Sequence, residues 1–249
     1  MIEAIILGLV QGLTEFLPIS SSGHLAILEN LLGITEPVTL AVFLHFGTFV
    51  SIIVFFFGPI MDLVRGSIKG ERESLAYLGK IGVATVPVAV GGALLRPWVV
   101  RAFGNIFLVA VLLGVTGAVV LLTGVVRKRQ GRIGFWSSVF IGIGQMVSIL
   151  PGVSRSGMTI STGVYSGIHP ERAFRFSFLL SLPAILGANL FELRHLTRLT
   201  DIPPLIAGAA CSFASGLVAL AVLRRLVARR FHYFGIYCII ISITLLLVL

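Results

Sequence analysis

The chain has 249 residues, of which 57% are hydrophobic and 12% charged, and a net charge of +9 from 19 Lys and Arg against 10 Asp and Glu. A soluble domain carries about 25% charged residues, so this composition cannot cover a water-facing surface and excludes a soluble globular fold. The basic excess sits in short stretches between apolar runs, where it reads as an orientation signal in a bilayer and not as a nucleic-acid footprint.

Residues 1–33 form a broken element: an apolar run to Leu17, then Pro18, a serine-rich stretch and a second apolar run. Its halves, about 17 and 14 residues long, fall short of the roughly 20 needed to cross a membrane. The element is therefore expected to be a re-entrant hairpin that enters and leaves on one side. No Lys or Arg precedes Arg65, so the basic region of a cleaved signal peptide is missing and the first segment is expected to be retained. Apolar windows follow at 38–58, 75–95 and 104–126, the second carrying Lys80 and Pro87. Phe55, Phe56 and Phe57 at the end of the first window read as a lipid-facing run. Beyond a basic junction near 127–133, a second broken element spans 134–167 around Pro151. Windows at 171–191, with Arg172, Arg175 and Pro183, then 204–223 and 231–249, bring the expected full spans to six. Cys211 and Cys238 lie inside apolar windows and read as small hydrophobes. No Walker loop, dinucleotide fingerprint or zinc spacing occurs.

Set against itself at an offset of 134 residues, the chain aligns 8-GLVQGLTEFLPISSSGH-24 with 142-GIGQMVSILPGVSRSGM-158 without a gap. Gly8, Gln11, Ser20, Ser22 and Gly23 recur as Gly142, Gln145, Ser154, Ser156 and Gly157. The expected fold is an all-α integral membrane protein, a single membrane domain over 1–249, with repeats at 1–126 and 134–249. Each repeat holds one re-entrant helix hairpin and three transmembrane helices. Three spans per repeat force the second copy to enter with opposite orientation, the inverted-repeat plan of many transporters. On that plan the basic residues around 65–80, 127–132, 172–175 and 224–230 share one side, against Arg96, Arg101, Arg194 and Arg198 on the other. The positive-inside rule then puts both termini outside. The first hairpin dips in from outside and the second from the cytoplasm, so the two serine-rich turns meet near mid-bilayer.

Those turns concentrate the polar chemistry. Gln11 and Glu15 are four apart and share a helix face. A carboxylate at that depth needs a partner or a cation. Ser20, Ser21, Ser22, Gly23 and His24 open the second half-helix, where hydroxyls and free N–H groups favour an anion; packing hydrogen bonds are the bland alternative for the serines. His24, within one turn of Ser20 or Ser21, suits a serine nucleophile with a base or acid. Arg155, between Ser154 and Ser156, reads as a bidentate oxyanion clamp. A structural pair between Arg155 and Glu15 is the rival reading, and both hold if a resting pair opens to admit phosphate and cation. His45 either faces the cavity or bonds within the bundle. Glu36, Glu71, Glu73, Glu171, Glu192 and Asp201 sit near span ends, where solvation explains them.

The stretch QGLTEFLPISSSGH resembles the Glu/Gln-x-x-x-Glu motif and following Ser-Ser-x-Gly-His segment of the undecaprenyl-diphosphate phosphatases of the bacitracin-resistance type, and PGVSRSGMTIS resembles their second signature. The resemblance implies hydrolysis of undecaprenyl (polyprenyl) diphosphate to the monophosphate plus inorganic phosphate. That reaction regenerates a lipid carrier for cell-envelope glycan synthesis and confers bacitracin resistance. Carried over by position, Glu15, Ser21, His24 and Arg155 are the catalytic candidates. Ser20, Ser154, Ser156 and Thr159 match motif positions and, with Ser22 of the same turn, are expected to bind the diphosphate, and Glu15 with Gln11 is expected to hold a divalent cation, Mg²⁺ or Ca²⁺. The nucleophile is left open among Ser20, Ser21, His24 and water. Two departures stand out: Gln11 replaces a glutamate common in the family, removing a two-carboxylate metal site, and His45 stands where a glutamine is common. The expected location is the plasma membrane, with the active site opening to the outer side. The expected partners are the polyprenyl diphosphate lipid and the bilayer, with no nucleic acid; homodimer formation is left open. A polyprenyl-phosphate flippase or transporter on the same architecture is the rival reading, but it does not need a serine, a histidine and a carboxylate gathered around an arginine.

Overall fold

A computed structural model describes residues 1–33, 37–126, 130–193 and 202–249. Arg127, Lys128, Arg129, Arg194 and Arg198 of the charge pattern, and Glu36 and Asp201 among the span-end acids, lie outside the described residues. Among those described, the chain is helical throughout: α1 (Ile2–Phe16), α2 (Ser21–Leu32), α3 (Pro37–Phe55), α4 (Phe57–Ile68), α5 (Arg72–Phe103), α6 (Ile106–Leu122), α7 (Phe135–Val147), α8 (Arg155–Tyr165), α9 (Pro170–Leu193), α10 (Ile202–Leu226) and α11 (Tyr233–Val248). A 3₁₀ turn, Thr123–Val125, extends α6, and a lone bridge joins Gly131 to Ile168.

α5, α6, α9 and α10 are long and apolar enough to cross a membrane, and α3 with α4, bent by 71°, makes a fifth span if the pair counts as one. The protein is thus a multi-pass helical membrane protein. The last apolar window holds α11, 16 residues long and shorter than a straight crossing needs. The bend at Phe56 corrects the lipid-facing reading of the phenylalanine run: Phe57 is exposed, but Phe56 is buried. Leaving helical geometry there, with φ −102° and ψ 20°, swings its ring inward, 5.6 Å from Phe174 and 5.9 Å from Phe178. Phe16 joins this aromatic core at 5.6 Å from Phe178, directly beneath Glu15 in sequence.

Both broken elements form where proline and serine demand it. α1 stops at Phe16 because the residue before a proline is pushed out of the α region, and Leu17 is extended (φ −67°, ψ 145°). Ser20 then takes φ 66°, the left-handed region, before α2 opens at Ser21. In the second element α7 ends before Pro151, Gly152 takes φ 86°, and Ser154 caps α8 by accepting from Gly157 N–H at 3.1 Å.

Non-helical backbone inside an apolar medium must find partners. Thr116 on α6 supplies two to the second turn: its hydroxyl donates to Gly152 C=O at 3.0 Å and accepts from Ser154 N–H at 3.1 Å. In the first turn Leu17 C=O accepts from Ser156 Oγ at 3.2 Å and Pro18 C=O from Cys238 Sγ at 3.4 Å. The two turns are therefore stitched to each other.

Small residues set the helix contacts, as expected where lipid gives no hydrophobic drive to association. α1 lies on α10, with a Cβ built on Gly12 falling 2.3 Å from Ser212 C=O and one on Gly8 falling 2.3 Å from Gly208 C=O. α7 lies on α5 in the same manner, a Cβ on Gly142 falling 2.5 Å from Ala84 C=O. α6 packs on α11, where Ser242 Oγ donates to Ala110 C=O at 2.7 Å.

Candidate active site

Glu15, in the last turn of α1, is the centre of the site. Its Oε1 accepts from Arg155 Nη2 at 2.5 Å across the two turns, and its Oε2 accepts from Ser21 Oγ at 2.6 Å. Gln11, one turn earlier on the same face, donates from Nε2 to Oε2 at 3.2 Å. The Glu15 side chain is 9% exposed and that of Arg155 14%, so the pair is screened from solvent and each charge depends on the other. Arg155 occupies the first position of α8, immediately after the Ser154 cap, so the guanidinium and the free amides of a helix start share one place.

Two buried polar atoms at this centre lack hydrogen-bond partners among the described residues: Gln11 Oε1 and Arg155 Nη1. An unmet acceptor and an unmet donor beside one carboxylate suit a cation and an anion respectively. Gln145 and Ser161 Oγ, also buried, are unpartnered as well. Among the described residues no group of three or more His, Cys, Asp or Glu gathers in metal-ligand fashion, so a cation here would rest on one carboxylate, neutral oxygens and groups brought by a substrate.

The structure gathers Glu15, Gln11, Ser21 and Arg155 into one cluster and adds His45, which sequence reading had ranked lower. His45 Nδ1 is 2.9 Å from Gln11 Nε2 and 3.9 Å from Glu15 Oε2. His24 is arranged otherwise than expected. Its Nδ1 is 2.8 Å from Ser20 C=O, a pure acceptor, so Nδ1 carries the proton and Nε2 accepts from Tyr237 Oη at 2.8 Å. The two rings stack at 5.8 Å with 10° between planes. The base within hydrogen-bond reach of Ser21 is thus Glu15. Ser20 and Ser22 approach each other at 3.2 Å, as do Ser154 and Ser156 at 3.3 Å. Thr159 Oγ is occupied by Arg155 C=O at 2.7 Å and Ser177 Oγ at 2.6 Å, bracing the arginine's backbone.

Tyr237 and Ser177 were missed by sequence reading. Tyr237 gave no signal, because a tyrosine on an apolar helix is ordinarily an interfacial anchor. His45 did give one, as an ionisable group inside an apolar window.

A multi-pass helical membrane protein that holds one buried carboxylate between a serine of one broken helix and an arginine of another is the class these observations define. Residues 4–244 match the family described as "Bacitracin resistance protein BacA", and the chain belongs to that family. It is 40% identical to the undecaprenyl-diphosphatase of Syntrophotalea carbinolica over 95% of this chain and 94% of the relative. It is 36% identical to the undecaprenyl-diphosphatase of Methanococcus maripaludis strain C6 over 99% and 100%, and 36% identical to that of Thermosipho africanus over 96% of each.

Proposed function

We propose that the chain is a membrane phosphohydrolase that converts undecaprenyl or a similar polyprenyl diphosphate to the monophosphate and inorganic phosphate. In that role it recycles the lipid carrier of envelope glycan synthesis and confers resistance to bacitracin. The observation that carries the reading is the Glu15 carboxylate, bonded at one oxygen to Arg155 and at the other to Ser21. The family and the names of the relatives point the same way.

Arg155 leaves Glu15 for the incoming phosphates and clamps them in bidentate fashion, aided by the start of α8. Ser21 gives its proton to Glu15 Oε2 as Oγ attacks the terminal phosphorus. The bond from that phosphorus to the bridging oxygen breaks, and the prenyl monophosphate departs with the electron pair. Glu15 passes the serine proton to the departing monophosphate; it then takes a proton from the water that attacks the phosphoserine and returns it to Ser21 Oγ as phosphate is released. His24 Nε2, facing Tyr237 Oη, serves proton transfer at the leaving group. Ser20, Ser22, Ser154, Ser156 and Thr159 shape the two turns around the anion. A divalent cation, Mg²⁺ or Ca²⁺, suits the oxygens of Glu15, Gln11 Oε1 and Ser21, since hard cations take few protein ligands when phosphates complete the shell. Such an ion, when bound, neutralises charge on the phosphates.

The site is proposed to lie at the meeting of two inverted repeats, 1–126 and 134–249, with both termini outside and access from the outer side. Exchanged helix contacts support the repeat. At an offset of 134 residues α7 is the counterpart of α1 and α10 largely that of α5, and α1 lies on α10 while α7 lies on α5. Gly8 and its counterpart Gly142 make the two close approaches in question.

The test is phosphate release from a long-chain prenyl diphosphate by purified protein in detergent, with Mg²⁺ or Ca²⁺ and with EDTA, beside Glu15→Ala and Arg155→Ala. Release is expected to vanish with chelator and to fall at least about a hundredfold in each variant. No release from folded wild type across several lipids and metals would overturn the reading.

A further inference from the structure

Arg155 meets Glu15 only while the turn that carries it is held in place, and that turn rests on α6. Val109, Leu113, Thr116 and Val120 recur three or four residues apart along α6, so they share one face, and all four are buried. The second broken element lies along that face in register. A Cβ on Gly152 would strike Val109 C=O and fall 3.1 Å from Leu113 N, and one on Gly157 would fall 3.2 Å from a Val120 methyl. Between these contacts stands Thr116, whose hydroxyl donates to Gly152 C=O at 3.0 Å and accepts from Ser154 N–H at 3.1 Å. Neither role can be exchanged. A backbone carbonyl only accepts and an amide N–H only donates, so the one hydroxyl hydrogen points at Gly152 and a lone pair faces Ser154. With Gly157 turned to α6, Arg155 stands two residues earlier and about 200° round the helix. It therefore points away from α6 and reaches Glu15 Oε1 at 2.5 Å.

We infer that Thr116 is a positioning residue: its hydroxyl sets the place of the second turn along α6, and with it the aim of the Arg155 guanidinium. The inference rests on the phosphohydrolase reading above, in which Arg155 clamps the phosphates. The valines and the leucine on this face give contact without direction, because dispersion attraction changes little as one apolar surface slides along another. A hydroxyl bonded to two fixed backbone groups does give direction. Moving the turn by about 1 Å takes either bond out of hydrogen-bonding range, and backbone at membrane depth has no bulk water to turn to instead. A shift of that size at a reacting geometry costs about a hundredfold in rate, so one side chain that touches neither Arg155 nor Glu15 governs how well they meet the substrate.

The experiment measures kcat/KM for phosphate release from a long-chain prenyl diphosphate by the full chain in detergent, with thermal unfolding in the same detergent to show that each variant is folded. Wild type is compared with Thr116→Val, Thr116→Ser and Ser242→Ala. Valine keeps the shape of threonine and removes both bonds; serine keeps the hydroxyl and drops the methyl. Ser242 gives a hydroxyl to another carbonyl of α6, that of Ala110, so its loss reports what loosening α6 does by itself. Thr116→Val is expected to lower kcat/KM about tenfold to a hundredfold, Thr116→Ser to recover most of that loss, and Ser242→Ala to melt earlier with kcat/KM little changed. An inactive wild type would sink the phosphohydrolase reading and the inference with it. With an active wild type, three results would each overturn the inference alone: a folded Thr116→Val as active as wild type, a Thr116→Ser as impaired as Thr116→Val, or an equal loss in Ser242→Ala. If Thr116→Val does not fold, Thr116→Cys decides. Its thiol is a weak donor and acceptor, so activity well below that of Thr116→Ser is expected, and activity equal to it would refute the role of the hydroxyl.

Discussion

Breaking the ion pair between Glu15 and Arg155 from one side differs in kind from removing it whole. In Arg155→Met the carboxylate stays buried with Ser21 and Gln11 as its remaining close donors; in Glu15→Gln the guanidinium stays buried with Nη1 already unpartnered among the described residues. Leaving one member of a buried pair uncompensated costs about 3–5 kcal/mol, whereas replacing both by apolar or neutral groups of similar volume is near neutral. For a chain of this size about 1 kcal/mol moves the melting temperature by roughly 2–4 °C, so each single variant is expected to melt about 6–20 °C below wild type. The double variant Glu15→Gln with Arg155→Met is expected to recover most of that loss. All three are expected to lose phosphate release, because the double variant restores packing and not the clamp. Thermal unfolding in one detergent, followed by tryptophan fluorescence, reads the first quantity, and inorganic phosphate from a prenyl diphosphate reads the second. A double variant that melts at the sum of the two single losses would show that the residues are not energetic partners, and the reasoning from their 2.5 Å contact would fail.

Three further outcomes follow from neighbouring geometry. Ser21→Ala removes the hydroxyl 2.6 Å from Glu15 Oε2 and is expected to lower phosphate release by at least about a hundredfold while melting near wild type; an active Ser21→Ala protein would transfer the attack to water. Gly12→Ala puts a methyl 2.0 Å from Ser215 Oγ and 2.3 Å from Ser212 C=O and is expected to destabilise by about 1–3 kcal/mol, with activity falling as α1 and Glu15 are pushed off α10. Gly79→Ala, inside α5, whose methyl meets nothing within 4 Å among the described residues, serves as the clash-free control in the same melting experiment and is expected to melt at or slightly above wild type. Ser20 holds φ 66° and accepts from Gly23 N–H at 3.3 Å. Ser20→Ala keeps the strained backbone and loses the cap, at about 1 kcal/mol, while Ser20→Gly loses the cap and relieves the strain. The glycine variant is expected to be the more stable of the two.

What the sequence made legible was carried by signals that act locally. Pro18 and Pro151 end helices by steric exclusion, serine caps open them, and apolar windows fill with helix because no other hydrogen-bonding solution survives in lipid. The meeting of Glu15 with Arg155 was legible too, but only through the internal alignment, which set the two serine-rich turns opposite each other. What local signals could not give was the orientation of side chains across long separations. Tyr237 reaches His24 from 213 residues away, and the division of labour around Ser21 depends on where His24 turns its ring. The 71° bend between α3 and α4 was invisible for a related reason: phenylalanines 55 to 57 are equally apolar whether they face lipid or core, and only the aromatic partners on α9 decide it.

The internal alignment also bears on why the proposed reaction centre is single. At an offset of 134 residues Ser21 is the counterpart of Arg155, and these equivalent positions bond the two oxygens of the same carboxylate. Glu15 and His24, however, have Ile149 and Met158 as counterparts. The acid and the imidazole belong to one turn, the guanidinium to the other, and neither turn is complete by itself. An arginine equivalent to Ser21 has no carboxylate of its own to meet, so it crosses to Glu15; a second carboxylate at position 149 would bury another negative charge beside the one guanidinium. The two turns also bend at different places, Ser20 in the first and Gly152 in the second, and Ser154 takes φ −77° where Ser20 takes 66°. The chain thus brings two similar turns together, and on the proposed mechanism the differences between them at these few positions give the anion clamp to one and the proton chemistry to the other.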